Sequence, residues 1–111
     1  MQRFVLETGF GCDQYGQDST KAAIRAVEDA IRRVALPMFG NLGIQTDAME
    51  VRVTIGVVDP SAVDTARVAE HLPRGRATVI AVKGGLNVTH PEGGTIVTAC
   101  AAVEGFLPKQ A

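Results

Sequence analysis

Residues 3–34, RFVLETGFGCDQYGQDSTKAAIRAVEDAIRRV, decide the fold of this chain. The apolar start of the stretch predicts a first strand that Gly9 closes, and residues 9–17 predict a glycine-rich loop. Farther on, small apolar side chains recur at three- and four-residue spacing, which predicts an amphipathic helix capped by Asp18 or Ser19. The charged side chains of that helix lie on its opposite face, where we expect them to be solvated.

The rest of the chain predicts three more strands and a second helix. Residues 49–58 alternate apolar and polar side chains, which is typical of a strand buried on one face. Asp59 and Pro60 then predict the start of a helix, with Asp59 as its cap and Pro60 in its first turn. Apolar runs at residues 77–83 and 95–103 predict the third and fourth strands, with a turn-rich stretch between them.

The order of these elements, β-α-β-α-β-β, predicts a single α+β domain over residues 1–111. We expect a two-layer sandwich, in which a four-stranded sheet carries both helices on one face. The connection at residues 38–48 is more apolar than a solvated loop. We therefore expect it to cover the core or to contact another subunit.

The sheet face away from the helices is predicted to be covered by another copy of the chain. The last predicted strand, TIVTACAAV, is small or apolar on both sides, whereas a strand with one wet face alternates apolar with polar residues. One small domain has no further element to cover that face, so a homo-oligomer is expected. The alternative is a plain exposed face of Ala and Thr. Polar side chains expected on this face are Glu7, Arg52, Thr54, Thr98 and Glu104.

Composition argues against some classes of partner. The chain has 11 basic and 12 acidic residues, so it lacks the basic surface of a general nucleic-acid-binding protein. It has no apolar run of the roughly 20 residues that a membrane span requires, and its start does not resemble a signal peptide. We therefore expect a cytoplasmic protein with no nucleic-acid or membrane partner, in which Cys12 and Cys100 are free thiols.

The candidate site is the cluster of glycine and polar residues GFGCDQYGQD at residues 9–18. Its glycines allow a ligand to approach the backbone, and the helix that follows offers N–H groups that favour an anion. A dinucleotide-binding GxGxxG motif is excluded because its third glycine would be Gln14, and a phosphate-binding loop is excluded because Gln17 stands where lysine is required. Asp13 is the candidate catalytic base or ligand anchor. The candidate ligand-binding residues are Gly9, Gly11, Gln14, Tyr15, Gly16, Gln17 and Lys21.

The residues leave two classes of function open. In the first, the protein is an enzyme or a binding protein for a small anionic molecule, with its site at this loop or where the loop meets another subunit. In the second, it is a non-catalytic structural or regulatory subunit, in which the loop is a tight turn and Asp13 bonds backbone N–H groups. His90 and the Gly84-Gly85 turn would join the site if the strand ends meet there. The sequence identifies no cofactor and predicts no metal site.

The cluster resembles the signature of a small uncharacterised family of bacterial hypothetical proteins, which also occurs as the C-terminal part of longer plant proteins. The hallmark of that family is GxGxDxHG near the N-terminus, and Gly9, Gly11, Asp13 and Gly16 match it. The family histidine is Tyr15 here, so only Asp13 remains of an Asp-x-His pair that would suit a divalent metal. The family has no established activity, so the resemblance implies a membership and not a reaction.

Overall fold

The computed structural model describes residues 1–33, 49–72 and 76–108. Within these ranges the chain is α+β, and its sheet has five strands where four were predicted. The apolar connection predicted at residues 38–48 lies outside the described residues. The elements are β1 (Gln2–Asp13), α1 (Ser19–Arg32), β2 (Glu50–Val57), a 3₁₀ turn (Pro60–Ala62), α2 (Thr65–Ala69), β3 (Arg76–Lys83), β4 (Leu86–Thr89) and β5 (Thr95–Leu107).

The longest strand, β5, organises the sheet. It pairs antiparallel with β1 along one side and with β4 and β2 along the other, and β2 pairs in parallel with β3. The order is therefore β1-β5-β2-β3, with β4 beside the start of β5. The prediction missed β4 because it is a four-residue strand that follows a glycine pair directly and is exposed at every position.

The first strand continues through both early glycines, so the predicted loop at residues 9–17 is wrong for its first half. Pairing with β5 extends without a break from Val5 to Asp13, which lies opposite Val97. A Cβ atom at Gly9 or Gly11 would collide with the backbone of α1. These glycines do not end the strand; they let the helix pack closely against it.

The second predicted helix is interrupted. Asp59 is a cap, as predicted, but the element that it begins is only a 3₁₀ turn. Asp64 then caps the short α2, in which Val68 is the only buried residue. The buried hydroxyl of Thr20, in the first turn of α1, holds this connection: its Oγ1 accepts a hydrogen bond from the Asp64 N–H at 2.8 Å and donates one to the Ala62 carbonyl at 3.3 Å.

The core lies between α1 and one set of alternate strand side chains. The small apolar stripe of α1 is buried, and Asp18 caps that helix by accepting a hydrogen bond from the Lys21 N–H. The predicted alternation of the second strand is confirmed, because its core-facing apolar side chains are buried. On the last strand, every second residue from Val97 to Leu107 is buried as well. The core-facing side chains of the two strands are Val51, Val53, Ile55, Val57, Val97, Ala99, Ala101, Val103 and Leu107.

The other set of alternate side chains forms what we call the open face. Glu7 was predicted there, but it lies opposite the core residue Val103 and so points to the helix side. No helix in the described ranges is long and apolar enough to cross a membrane. Open-face positions are Arg3, Leu6, Thr8, Phe10 and Cys12 on β1, Glu50, Arg52, Thr54 and Gly56 on β2, Arg76, Thr78, Ile80 and Val82 on β3, Leu86 and Val88 on β4, and Ile96, Thr98, Cys100, Ala102, Glu104 and Phe106 on β5.

Candidate functional site

The carboxylate of Asp13 is enclosed where β1 gives way to α1. The residue is only 5% exposed. Its Oδ2 accepts a hydrogen bond from the backbone N–H of Asp18 at 2.9 Å, and its Oδ1 lies 3.5 Å from the guanidinium of Arg25. Both oxygens are therefore engaged by the chain itself, which is the arrangement of a structural acceptor.

The same carboxylate shapes the turn that follows it. A Cβ atom at Gly16 would lie 2.7 Å from the Asp13 Oδ2, so a side chain at that position would displace the carboxylate. Gln17 has a φ of 52°, a left-handed conformation that is uncommon for residues other than glycine. Asp18 comes next and caps α1 through the Lys21 N–H at 3.1 Å. The turn is thus fixed between two aspartates.

The predicted site residues fall into two groups. Gly9 and Gly11 lie inside β1 against α1, and Asp13 lies beneath the turn. The other predicted residues are exposed, and Tyr15 is 88% exposed. The two carboxylates at the start of α1 already occupy the position that an anion would favour. The exposed group comprises Gln14, Tyr15, Gly16, Gln17 and Lys21.

Side chains of α1 cover the outer edge of β1. Arg33 donates to the Thr8 carbonyl at 2.6 Å, and Asp29 accepts from the Phe10 N–H at 2.9 Å. Arg25 donates to the Cys12 carbonyl at 2.6 Å. These backbone groups would otherwise be free to pair with another strand. Arg25 and Arg33 remain about half exposed, as expected for the solvated face of the helix, whereas the Asp29 side chain is only 24% exposed. All three also bond the backbone of β1, which was not predicted.

A signal for this edge was present in the spacing of the charges. Four helical residues rise about 6 Å and two strand residues about 6.6 Å. A row of polar side chains at every fourth helical position therefore matches the outward backbone groups of a strand beside it. Arg25, Asp29 and Arg33 form such a row.

A groove of about 440 Å³ lies on the open face beside Phe10. Val82 stands on its β3 side. A Cβ atom at Gly56 would lie 2.9 Å from the Cys100 Sγ and 3.5 Å from the Gly84 Cα, so glycine there keeps the floor low where the chain crosses from β3 towards β4. The other small residues of the floor are Thr8, Thr54, Cys100 and Ala102.

His90 and Asp13 lie on opposite sides of β5. His90 lies beyond Thr89, whose β5 partner is Thr95, whereas Asp13 lies opposite Val97 on the far side of β5. The His90 Nε2 is shielded from solvent and has no hydrogen-bond partner in the part of the chain that the structure describes. In that same part, no three His, Cys, Asp or Glu side chains are grouped to hold a metal ion.

Comparison with known protein families shows which family this chain belongs to. A family profile described as "Conserved hypothetical protein (Lin0512_fam)" matches residues 3–105. The chain belongs to this family. The match extends from the first strand into the last, so the expected membership in a family of hypothetical proteins is confirmed for almost the whole chain.

One solved structure is closely similar to this member of the family. It is the 1.22 Å crystal structure of an FtsZ-like protein of unknown function from Nostoc punctiforme PCC 73102. The two chains are 34% identical, with a TM-score of 0.86 over 97% of each chain. No curated protein matches the chain. The comparisons therefore support the fold and the family, and they assign no activity.

Proposed function

We propose that this chain is a non-catalytic subunit that assembles with copies of itself through the open face of its sheet. The distribution of exposed apolar side chains carries the proposal. The described residues expose nine large hydrophobic side chains, and six of them share the open face. Such side chains present on the order of 500 Å² of apolar surface, near the top of the range for one patch on a monomer. The six are Leu6, Phe10, Ile80, Val82, Leu86 and Val88.

The charges beside this apolar surface favour a second copy as its cover. Arg3 lies 3.2 Å from Glu104, and Arg52 lies 3.8 Å from Glu50. The guanidinium of Arg52 also stacks 4.2 Å over the ring of Phe106. Because Arg3 and Arg52 each have an acidic partner in the same chain, burying these two ion pairs leaves neither arginine unpaired. A second copy presents the same surface, as a self-complementary contact requires.

The layers of the chain also support this proposal. The buried residues of α1, Val68 of α2 and the core-facing strand residues belong to one cluster. We infer a two-layer arrangement with both helices on that side, so that the described residues provide no layer over the open face. The free thiols of Cys12 and Cys100 suit a reducing compartment, and we infer a cytoplasmic location.

The test is the subunit number of a variant with one charge on the open face. We expect size-exclusion chromatography with light scattering to give an oligomer for the wild type and a folded monomer for Ile80→Glu. Val58→Glu is the matched control, because Val58 is similarly exposed but follows the end of β2. An oligomer that survives Ile80→Glu, or a wild type that stays monomeric, would contradict the proposal.

Binding of a small anionic molecule at the turn is the second candidate function. The observation that favours it is the exposure of both Tyr15, on the turn, and the cation Lys21, in the first turn of α1. Inorganic phosphate should then raise the melting temperature of the wild type, and Lys21→Ala should abolish that rise without lowering the melting temperature itself. If phosphate does not raise the melting temperature of the wild type, this candidate function is wrong, and the assembly proposal is unaffected.

A further inference from the structure

We propose that Phe10 of each copy inserts into the open-face groove of a second copy. The inference rests on the proposed assembly and specifies the contact that holds it together. Phe10 is 68% exposed, more than any other large apolar side chain on the open face. Buried aromatic anchors contribute most of the binding energy in many interfaces, and they pair with pockets on the partner. An aromatic ring as exposed as that of Phe10 is suited to be such an anchor for a pocket on a second copy.

The groove has the size and the floor to receive that ring. A cavity of about 150 Å³ holds a benzene molecule, and the groove measures about 440 Å³. Its floor consists of backbone and small side chains from three adjacent strands, β1, β5 and β2, with Gly56 at the point where a side chain would raise it. A planar ring can thus reach the sheet surface without displacing a bulky residue.

A second copy fits this groove because the open face carries both halves of the contact. In a two-fold interface, a residue that contacts a position on the partner is itself matched by the same contact in reverse. Phe10 stands at the rim of its own groove, so two facing sheets can exchange rings. The edge of β1 next to Phe10 is closed by Asp29 and Arg33, which directs the contact to the face of the strand and not to its edge.

A single tryptophan reports the environment of this position. The chain contains no tryptophan, so Phe10→Trp introduces one fluorophore. We expect its emission at short wavelength at concentrations where light scattering gives an oligomer, and a shift to long wavelength as dilution dissociates it. Tyr15→Trp is the matched control, because Tyr15 is 88% exposed and lies on the turn. Its emission should stay at long wavelength throughout.

A bulky side chain introduced from β2, across β5 from Phe10, tests whether the groove receives the ring of the partner. Thr54 lies on the groove floor in β2, with β5 between it and β1. Thr54→Phe should raise the dissociation constant of the oligomer about 30-fold or more because it fills the groove, and Phe10→Ala should do the same because it removes the ring. Thr54→Ser keeps the hydroxyl and leaves the groove open, so it should change that constant by less than about fivefold.

Three outcomes would overturn the inference, and they are distinguishable. If the oligomer forms while the Phe10→Trp emission matches that of Tyr15→Trp, assembly stands and the Phe10 contact is wrong. If the wild type is monomeric at every concentration, the proposed function fails and the contact falls with it. If the Phe10→Trp emission is at short wavelength in a monomer, the ring is buried within its own chain or by a small molecule.

Discussion

The carboxylate of Asp13 joins three segments that meet at one end of the sheet. It accepts the Asp18 N–H, faces the Arg25 guanidinium and leaves no room for a side chain at Gly16. The sequence singled out Asp13 but left its role open, because a catalytic base and a buried acceptor have the same spacing along the chain. Its burial and its contacts within the chain favour the acceptor role, and neither is visible in the spacing of the sequence.

Removing this carboxylate should destabilise the fold. Asp13→Ala leaves the Asp18 N–H without its acceptor and removes the carboxylate that faces the Arg25 guanidinium, so we expect the free energy of unfolding to fall by about 2 kcal/mol. Asp13→Asn keeps an acceptor oxygen and should lose less. Urea denaturation followed by circular dichroism measures both values.

The control for that series is an acidic residue away from the junction. Glu92 is exposed in the turn between β4 and β5, and Glu92→Ala should change the free energy of unfolding by less than about 0.5 kcal/mol. If Asp13→Ala proves as stable as Glu92→Ala, Asp13 is not the structural acceptor described above. The alternative that Asp13 is a catalytic base would then be favoured.

At the scale of the element, β1 shows why a strand is defined by its neighbours. Glycines at positions 9 and 11 normally weaken a strand, and the sequence alone predicted a loop there. The structure extends the strand because β5 offers a partner for each residue and α1 requires the missing side chains for close packing. Helix α1 and β2 were predictable because their periodicity is local and unbroken. β4 was not, because its pairing with β5 decides its conformation.

Two adjacent arginines on α1 provide a matched test of the covered edge. Arg32 and Arg33 both lie near Asp29, but only Arg33 also donates to the Thr8 carbonyl of β1. Arg33→Ala should therefore lower the free energy of unfolding by about 1 kcal/mol more than Arg32→Ala. It should also increase thioflavin-positive aggregation on heating, because it exposes part of a strand edge. Equal stability and equal aggregation of the two variants would show that the edge contact contributes nothing.

At the scale of the whole molecule, the open face carries six of the nine large hydrophobic side chains that the described residues expose. The sequence predicted an apolar second face from the last strand alone. Most of its bulky side chains come instead from β3 and β4, whereas Cys100 and Ala102 of the last strand form the groove floor. A residue pattern in one strand can indicate that a face is apolar. The shape of that face depends on the order of the five strands in the sheet. The residues of one strand do not reveal that order.

Salt should have little effect on the assembly. The proposed contact is apolar and includes no ion pair between subunits, so screening removes little of its free energy. Light scattering at low and at high sodium chloride should give the same subunit number. Dissociation at high salt would show that charges between subunits hold the assembly together, contrary to this account.

Sedimentation equilibrium of the untagged wild-type protein tests the central claim most directly, because it gives the mass in solution without a variant or a probe. One chain has a mass of 11.7 kDa. The open-face account predicts a multiple of that mass at micromolar concentration and dissociation to a single chain on dilution. A mass of one chain across the whole concentration range would contradict it.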